Sequence, residues 1–265
     1  MKIVISNKKK VDKLVTIFRH LKSIVIDVNL NFTDKGLYIQ SMDSSHACLV
    51  EISIRNEWFD KFTIKKDEVL GINTEMLFKV IDCWNEGQEI TIYTNNKKTN
   101  RLFIDFTGEK KPKKKFNLPL IDIESDILEI PEKDYDVDLS LKSNEFKELI
   151  TELAIFNNTI NFECKSDSDK INIKAEGQLG TMEVEITDED INEMAITENL
   201  TLSVSYAISY ICTMCNFSRL NKDVYIHSSE DVPIKIHYSI DEQDSIESKN
   251  YIRFYLAPKL YDDEY

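Results

Sequence analysis

The residues best suited to metal binding or nucleophilic catalysis are sparse, because the 265-residue chain contains five cysteines and four histidines. Cys212 and Cys215 have the CxxC spacing of a zinc-ligand pair, but neither Cys nor His recurs nearby at a spacing that would complete the site. On a helix, the two thiols would lie three residues apart on neighbouring surface, as structural side chains. The odd, scattered set predicts reduced thiols rather than a disulfide framework.

His46 has hydroxyl groups beside it, since Ser44 and Ser45 precede it in GLYIQSMDSSHACLV, residues 36–50. A general base needs an oriented partner and a nucleophile within hydrogen-bond reach, and serines one or two residues away along a strand cannot both face it. We therefore expect no catalytic residue, no metal and no cofactor. The stretch raises another question: why a strand-like pattern carries a polar run across its centre.

Carboxylates offer the other route to chemistry. Asp122, Glu124 and Asp126, or the group Asp188–Asp190, could hold the divalent metal of a nuclease. Both groups fall in segments that predict loops without a fixed scaffold, which favours solvated side chains. The nuclease alternative can be tested directly, because its activity would be lost when Mg²⁺ is removed.

The composition predicts a folded chain whose two halves differ in charge. Its 42% of hydrophobic residues can fill sizeable cores, and because no segment approaches the roughly 18 apolar residues of a membrane span we expect an intracellular protein. Residues 1–116 carry 21 Lys and Arg against 15 Asp and Glu, whereas residues 117–265 carry 12 against 32. Since the net charge is −14, contact with nucleic-acid phosphates would need a local basic surface.

Apolar periodicity predicts the same order of elements twice, helix, strands, helix and strands. The predicted helices lie within 11–21, 73–85, 143–157 and 203–218, with hairpin turns at 34–36 and 167–170. Ser143 is the predicted N-cap of the third helix. The economical interpretation is a duplicated α+β fold with domains at 1–116 and 137–265, joined by an acidic connector at 117–136 that has two prolines and no clear period.

Specific motifs make the chain similar to a known family. In chain order they are GLYIQSMDSSHACLVEI, LGIN, KVIDCWNEGQEITI, ILEIPEKDY, DVPIKIHY and YIRFYLAPK. With these motifs the chain resembles proliferating cell nuclear antigen, the eukaryotic-type DNA sliding clamp, nearly end to end. The resemblance implies a trimeric ring of two-domain subunits whose helices line the hole and whose sheets form the outer wall. It also implies that DNA polymerase, the clamp loader and other replication or repair proteins are tethered to duplex DNA, without catalysis.

The resemblance also accounts for the polar run, because it places Ser41 to His46 on the front face of the subunit, beneath the connector. There it implies a pocket for a short partner motif whose aromatic and hydrophobic side chains form a small helical plug, while its glutamine-bearing end contacts backbone near Ala257. The implied pocket residues are Met42, His46, Leu49, Leu128, Ile130, Pro131, Tyr135, Val232, Pro233, Leu256, Ala257, Pro258 and Lys259. Taken alone, Met42 and Leu49 would fit an ordinary core equally well.

For DNA, the family implies encirclement with weak, sequence-independent contacts from Lys and Arg to phosphates. The residues that can make them are Lys9, Lys10, Lys13, Arg19, Lys79 and Lys147. The sequence departs from the family at Asp82, Glu148, Thr151, Glu152, Ala207 and Met214, which stand where basic residues are expected. We therefore expect duplex DNA to track toward the helices of the first domain, with binding that salt weakens easily.

Ring closure in the family pairs two edge strands, for which the candidates here are Lys113–Leu118 and Ala175–Val184. The implied interface residues are Lys113, Lys115, Phe116, Leu118, Ala175, Glu176, Met182, Glu183 and Val184. The first segment is basic and the second carries glutamates, so opposite charges would favour head-to-tail closure into a homotrimer. The run 110–115 fits a solvated loop equally well, because Pro112 marks a turn.

Two other kinds of clamp relative stay open as alternatives. One is a subunit of a checkpoint-type heterotrimer, and the other is a monomeric processivity factor like those of some viruses. The depleted basic surface keeps both open, whereas the pocket motifs and the charge-matched edges favour the homotrimer. The expected location is the nucleus, or a viral replication factory if a virus encodes the chain, and no membrane partner is expected.

Overall fold

A computed structural model describes residues 1–95, 98–124, 126–131, 133–166, 170–178, 180–241 and 246–259. Contacts divide the chain into two compact units: unit 1 comprises Met1–Ser44, Val50–Glu129 and Glu247–Ile252, and unit 2 comprises Ser45–Leu49, Ile130–Ile246 and Arg253–Tyr265. The turn predicted at 167–170 lies mostly outside the described residues. Within the described ranges, no helix is long and apolar enough to cross a membrane.

The first half of the chain forms two antiparallel ladders and a pair of helices. Its elements are β1 (Lys2–Ile5), α1 (Lys8–Leu21), β2 (Asp27–Thr33), β3 (Gly36–Met42), β4 (Cys48–Arg55), β5 (Lys61–Thr63), β6 (Glu68–Asn73), α2 (Thr74–Ile81), β7 (Glu89–Asn95), β8 (Lys98–Thr107) and β9 (Lys114–Pro119). The strands lie in the orders β5-β1-β7-β8-β9 and β4-β3-β2-β6.

The second half repeats this arrangement. Its elements are β10 (Val137–Lys142), α3 (Ser143–Leu153), β11 (Thr159–Lys165), β12 (Lys170–Gly177), β13 (Gly180–Ile186), β14 (Glu193–Ile196), β15 (Thr201–Ala207), α4 (Ile208–Cys215), β16 (Asp223–Ser228), β17 (Ile234–Ser239) and β18 (Tyr251–Leu256). Its strand orders are β14-β10-β16-β17-β18 and β13-β12-β11-β15, which reproduce the first two orders with nine added to each strand number. The predicted duplication and the α+β class are confirmed; the domain boundaries at 116 and 137 stay a prediction.

The helices form where an apolar stripe can be buried against the sheets. In α1, Leu14, Phe18 and Leu21 are at most 3% exposed, and the Asn7 side chain caps the helix by accepting a hydrogen bond from the Lys9 backbone at 2.9 Å. α1 contacts α2, and α3 contacts α4. Each unit therefore buries one side of a helix pair and leaves the other side exposed.

Two local predictions are wrong. The fourth helix does not begin at 203, because Leu202, Val204 and Tyr206 are buried with the period of two of strand β15, and α4 starts only at Ile208. Ser143 is not an N-cap, because Lys142 occupies that position and the Ser143 side chain makes no capping hydrogen bond. The Ser143 hydroxyl is buried and has no hydrogen-bond partner within the described part of the chain.

The prediction of reduced thiols is confirmed, since none of the five cysteines is in a disulfide. Cys215 is buried in the core beside Tyr238, and burial raises the pKa of its thiol, with the Cys212 charge adding to the effect. Cys212 is half-buried, and burial likewise raises the pKa of its thiol. Raised thiol pKa values leave both side chains protonated at neutral pH, in keeping with the structural interpretation of the CxxC spacing.

Candidate functional site

The first part of the predicted connector is held within unit 1 by hydrogen bonds to two strands. The Ile121 backbone donates to the Gly71 carbonyl at 2.9 Å, and the Asn29 amide donates to the Ile123 carbonyl at 3.0 Å. A Cβ atom at Gly71 would lie 2.2 Å from the Ile121 carbonyl oxygen, so glycine permits this close approach. The connector therefore follows a defined path along β2 and β6.

Gln40 fixes the connector at Leu128, an exposed apolar residue. The Gln40 side-chain oxygen accepts from the Leu128 backbone at 2.7 Å, and its amide nitrogen donates back to the Leu128 carbonyl at 3.0 Å. This pair of bonds copies a step of a β-ladder and leaves the Leu128 side chain 48% exposed. Met42 lies two residues after Gln40 on β3, on the same face of the strand, and is half-buried.

Buried groups behind Gln40 keep its amide in one orientation. The second amide hydrogen is donated to the Tyr38 hydroxyl at 3.1 Å, and Tyr38 donates in turn to the Glu51 carboxylate at 3.2 Å. Tyr251 donates to the same carboxylate oxygen at 3.0 Å. Burial, and then the Glu51 charge, raises the pKa of Tyr38, so the hydroxyl stays a donor across the physiological range. This network holds the Gln40 side chain rigidly in the orientation that binds the Leu128 backbone.

The polar run in the opening stretch is a loop between strands. β3 ends at Met42 and β4 begins at Cys48, and His46 adopts the left-handed conformation, with φ of 59°, that a tight turn requires. The Ser45 hydroxyl and the Tyr210 hydroxyl share a hydrogen bond at 2.6 Å. His46 is exposed and Leu49 is half-buried, as a surface that receives a partner would need.

The C-terminal segment of unit 2 lies beside this loop. The Ala257 backbone donates to the Ala47 carbonyl at 2.9 Å, and the Lys259 backbone donates to the Ser205 carbonyl at 2.8 Å. The Lys259 ammonium reaches Thr159 at 2.6 Å. Unit 2 therefore brings together His46, Leu49 and the segment Leu256–Lys259, in which Leu256 is buried and Ala257 and Lys259 are exposed.

Tyr135 is the aromatic residue at the end of the connector, and it packs within unit 2. Its ring lies 5.5 Å from the His227 ring, and the Lys235 ammonium lies over it at 4.8 Å. Burial raises the pKa of Tyr135, with the Asp138 charge adding to the effect. Burial lowers the pKa of His227, although a hydrogen bond to the Asp138 carboxylate opposes the shift, so this imidazole is neutral at physiological pH.

The remaining predicted pocket residues differ in exposure. Ile130 and Val232 are half-buried, Pro131 and Pro233 are exposed, and Pro258 is half-buried. Sequence reasoning missed Gln40, which binds Leu128 across 88 residues of the chain. It also missed Tyr38 and Glu51, which orient the Gln40 side chain. The period of two along β3 places Gln40 on a buried position, and a polar side chain there is the signal that could have indicated its role. The pocket as a whole stays a prediction.

The predicted DNA-facing cations of unit 1 are engaged by carboxylates. Arg19 pairs with Asp82 at 3.1 Å and Lys79 pairs with Glu75 at 2.9 Å, on side chains that are about half exposed. Lys10 is held more firmly, with its ammonium 3.1 Å from Asp60 and 5.6 Å from the centre of the Trp58 ring. Lys9 is exposed and Lys13 half-buried on the same helix.

The helices of unit 2 carry a different surface. α3 has one basic residue, Lys147, against three glutamates, and α4 has no charged residue at all. Glu148, Thr151 and Glu152 are exposed on α3, as the prediction of a depleted surface requires. Met214 is 1% exposed and belongs to the core of unit 2, so the prediction that it replaces a DNA-facing basic residue is wrong. Ala207 is the last residue of strand β15.

The predicted ring-closing segments include one edge strand in each unit. β9 lies at the edge of its sheet with Lys115 exposed, Phe116 half-buried and Leu118 buried, and Lys113 just before it pairs with Asp105 at 3.2 Å. β13 is the edge strand of the second unit and carries Met182, Glu183 and Val184. Ala175 and Glu176 lie on β12 and pair with β13, so β13 alone offers the outer edge.

Two repeated α+β units, each with a helix pair on one side of antiparallel sheets, define the class of duplicated clamp folds. Family models agree with this class and match almost the whole chain. The model described as proliferating cell nuclear antigen, N-terminal domain, matches residues 8–128, and the model for the C-terminal domain matches residues 129–259. The chain belongs to the proliferating cell nuclear antigen family, and this membership supports function as a DNA sliding clamp.

Individual relatives extend along nearly the full chain. Proliferating cell nuclear antigen 2 of Drosophila melanogaster is 28% identical over 246 residues, which cover 92% of this chain and 93% of the relative. Proliferating cell nuclear antigen of Chaetomium thermophilum is 29% identical over 249 residues, with the same coverage. The probable DNA polymerase sliding clamp 2 of Paramecium bursaria Chlorella virus 1 is 30% identical over 261 residues, 98% of this chain and 91% of the relative.

Proposed function

We propose that the chain is a DNA sliding clamp that closes into a ring of three copies around duplex DNA and tethers DNA polymerase, a clamp loader and other motif-bearing proteins. The observation that carries the proposal is the repetition of one topology, in which each unit buries one side of a helix pair and leaves the other side exposed. Such a protein binds and positions, and it performs no catalysis. Its place of action is the nucleus or a viral replication site.

Ring closure would pair β9 of one copy with β13 of the next. Both strands have an unpaired edge within the described sheets, and pairing satisfies their open backbone groups. Exposed Lys115 on β9 is opposite in charge to exposed Glu183 on β13, which favours head-to-tail closure. Because the contact is heterologous, it forms a ring only when the rotation between copies closes.

Retention on DNA would come from encirclement, with weak phosphate contacts made mainly by α1. That helix carries five basic residues and one acid, whereas α3 carries one base and three acids. We propose that the duplex tracks toward unit 1 and that moderate salt weakens the contact. A nuclease is not favoured, because the described residues contain no group of three or more His, Cys, Asp or Glu side chains able to hold a metal.

A test of encirclement uses linear duplex DNA with biotinylated ends. The protein is allowed to thread, the ends are blocked with streptavidin, and the DNA is washed in high salt. We expect retention only on blocked DNA, together with a light-scattering mass three times the 30.9 kDa of one chain. The variant Lys115→Glu/Phe116→Asp should be monomeric and should wash off, whereas Lys35→Glu, in a hairpin turn, should behave as the native chain. If the native chain has the light-scattering mass of one copy and washes off blocked DNA, the monomeric alternative is favoured.

The partner pocket is tested with a peptide that carries a clamp-interacting motif. We expect Leu128→Ala and Tyr135→Ala each to weaken binding about tenfold or more, because aromatic and aliphatic anchors dominate such interfaces. The matched control is Ile127→Ala, since Ile127 is next to Leu128 and 57% exposed. Equal losses in all three variants would argue against a pocket at these residues.

A further inference from the structure

The exposed face of the five-stranded sheet of unit 1 carries an aromatic pair in its middle. Tyr93 on β7 is directly opposite Phe103 on β8, and their rings stack with centroids 5.3 Å apart and planes 18° apart. Both side chains are only half-buried, while their strand neighbours Leu102 and Ile104 point into the core. Half-exposed aromatic rings on a sheet face offer a flat apolar surface to a ligand.

Cations flank this aromatic pair on both sides. Lys2 on β1 is directly opposite Tyr93, and Arg101 precedes Phe103 by two residues on the same face of β8. Lys65 and Lys66 follow β5 and are exposed beside Lys2. Across the strands, this row therefore reads Lys2, Tyr93, Phe103 and Asn117, with Arg101 two residues away along β8.

Two adjoining clefts make this face concave. One, of about 590 Å³, is lined by Met1, Lys2, Thr63, Lys65, Lys66, Glu68, Tyr93, Thr94 and Asn95. The other, of about 450 Å³, shares Lys2 and Tyr93 and extends along Thr91 to Asp105 and Lys113. Volumes of this size can hold ligand groups rather than single waters.

Most acidic groups in the clefts are already neutralised. Glu68 accepts from the Met1 amine at 2.7 Å, and a hydrogen bond from Thr94 adds to this. Asp105 pairs with Lys113 at 3.2 Å. The two linings carry five cations (the Met1 amine, Lys2, Lys65, Lys66 and Lys113) against three acids (Glu68, Glu89 and Asp105), so their net charge is positive in a chain whose net charge is −14.

We propose that this face, which we call the Tyr93 cleft, binds single-stranded nucleic acid. Unpaired bases would stack on Tyr93 and Phe103 while Lys2, Lys65, Lys66 and Arg101 contact the backbone phosphates. Duplex DNA does not fit this chemistry, because its base faces are occupied by neighbouring bases. An acidic peptide would use the lysines and leave the paired rings without a role. The site is separate from the DNA-facing helices and does not depend on ring closure.

The experiment measures binding of a fluorescent oligothymidylate of about 16 nucleotides to the full chain by anisotropy, at low salt. We expect Tyr93→Leu/Phe103→Leu to weaken binding about tenfold, since leucine retains apolar bulk but not the stacking surface. Lys65→Glu/Lys66→Glu should weaken binding about as much and make its salt dependence shallower. The matched control, Lys35→Glu/Lys249→Glu, changes the charge equally at exposed sites outside the cleft and should bind as the native chain does. Thermal unfolding confirms that each variant is folded.

Four outcomes would overturn the proposal. Binding that survives both cleft variants would place the strand elsewhere, as would binding lost in Lys9→Glu/Lys13→Glu on α1 but kept in the cleft variants. Loss in the lysine variant together with full binding in the aromatic variant would indicate simple attraction of polyanions. Equal competition by polyglutamate would indicate a site for acidic peptides.

Discussion

The two units share one topology but differ in what their helices expose. α1 carries five basic residues and one acid, while α3 in the equivalent position carries one base and three acids. Both helices bury an apolar stripe, which includes Phe18 and Leu21 in α1 and Phe146 and Leu153 in α3, all at most 3% exposed. Apolar periodicity therefore specifies the fold, while exposed helix faces are free to take on different roles.

The helix starts differ in the same way. α1 begins with an Asn7 cap, and the nearby Asp60 carboxylate accepts from the Ser6 backbone at 2.6 Å, from the Ser6 hydroxyl and from Lys10. α3 begins after Lys142 without a side-chain cap. The better-anchored helix is therefore the one with the high density of positive charge, where an acid near the helix N-terminus is also favourable.

The largest expected effect tests whether the two cores are equivalent. Phe18→Ala and Phe146→Ala should each lower the free energy of unfolding by about 3–5 kcal/mol, because each removes a fully buried ring and leaves a cavity. Denaturant unfolding, followed by circular dichroism, measures both. Ile155→Ala is the control, since Ile155 is 79% exposed and should change stability little. A much smaller decrease in the free energy of unfolding for one of the two variants would show that the cores are not equivalent.

The two helix starts should respond differently to low pH, because Asp60 stabilises the start of α1. Burial raises the pKa of Asp60, but hydrogen bonds from Ser6 and Lys10 outweigh it and lower this pKa to about 2. Because the folded pKa is below the unfolded value of about 3.9, the stabilisation is present above pH 4 and is lost as the pH falls toward 2.

Asp60→Asn should therefore cost about 1 kcal/mol at pH 7 and progressively less between pH 4 and pH 2. The measurement is the free energy of unfolding across this pH series. Asp67→Asn, at an exposed residue of the same unit, serves as the control. A cost that does not change with pH would mean that ionisation of Asp60 is not what anchors α1.

Much of the fold could be predicted from the sequence because its signals are local. The stripe Val11, Leu14, Phe18 and Leu21 indicated α1, although Ile17 is buried where Val15 was expected. The start of α4 was misplaced because a period of two in Leu202, Val204 and Tyr206 was interpreted as part of a helix. The polar residues that alternate with them at 201, 203 and 205 complete the period of two and favour a strand over a helix.

The candidate site was less predictable because its supports are far apart in the chain. The motifs indicated Leu128 and Tyr135, but nothing local connects Gln40 to Leu128 across 88 residues. Charge pairing was equally hidden, since Arg19 and Asp82 meet only when α1 packs on α2. Residue types could be predicted from the sequence, whereas their partners required the folded arrangement.

A smaller effect concerns the Arg19–Asp82 ion pair, which holds a cation that is predicted to face DNA. Both side chains are nearly half exposed, so the pair adds little stability, but a phosphate must displace Asp82 to reach Arg19. Asp82→Asn should strengthen binding to linear duplex about two- to fivefold and steepen the salt dependence by about one unit of slope. Asp34→Asn, in an exposed turn, is the equal-charge control. Unchanged affinity and slope would remove Asp82 from the difference between the helix surfaces.

The smallest effect distinguishes two interpretations of Ser143 at the start of α3. If Ser143 were an N-cap, Ser143→Ala would cost about 1 kcal/mol, because a helix N–H group would lose its partner. The hydroxyl instead lies buried inside the first turn with no partner among the described residues, and burying it costs free energy. Ser143→Ala should therefore leave the free energy of unfolding unchanged or raise it by up to about 1 kcal/mol, whereas Asn7→Ala at the start of α1 should lower it by about 1 kcal/mol. Because only Asn7→Ala is expected to lower the free energy of unfolding, a loss in both variants would show that the helix starts are alike after all.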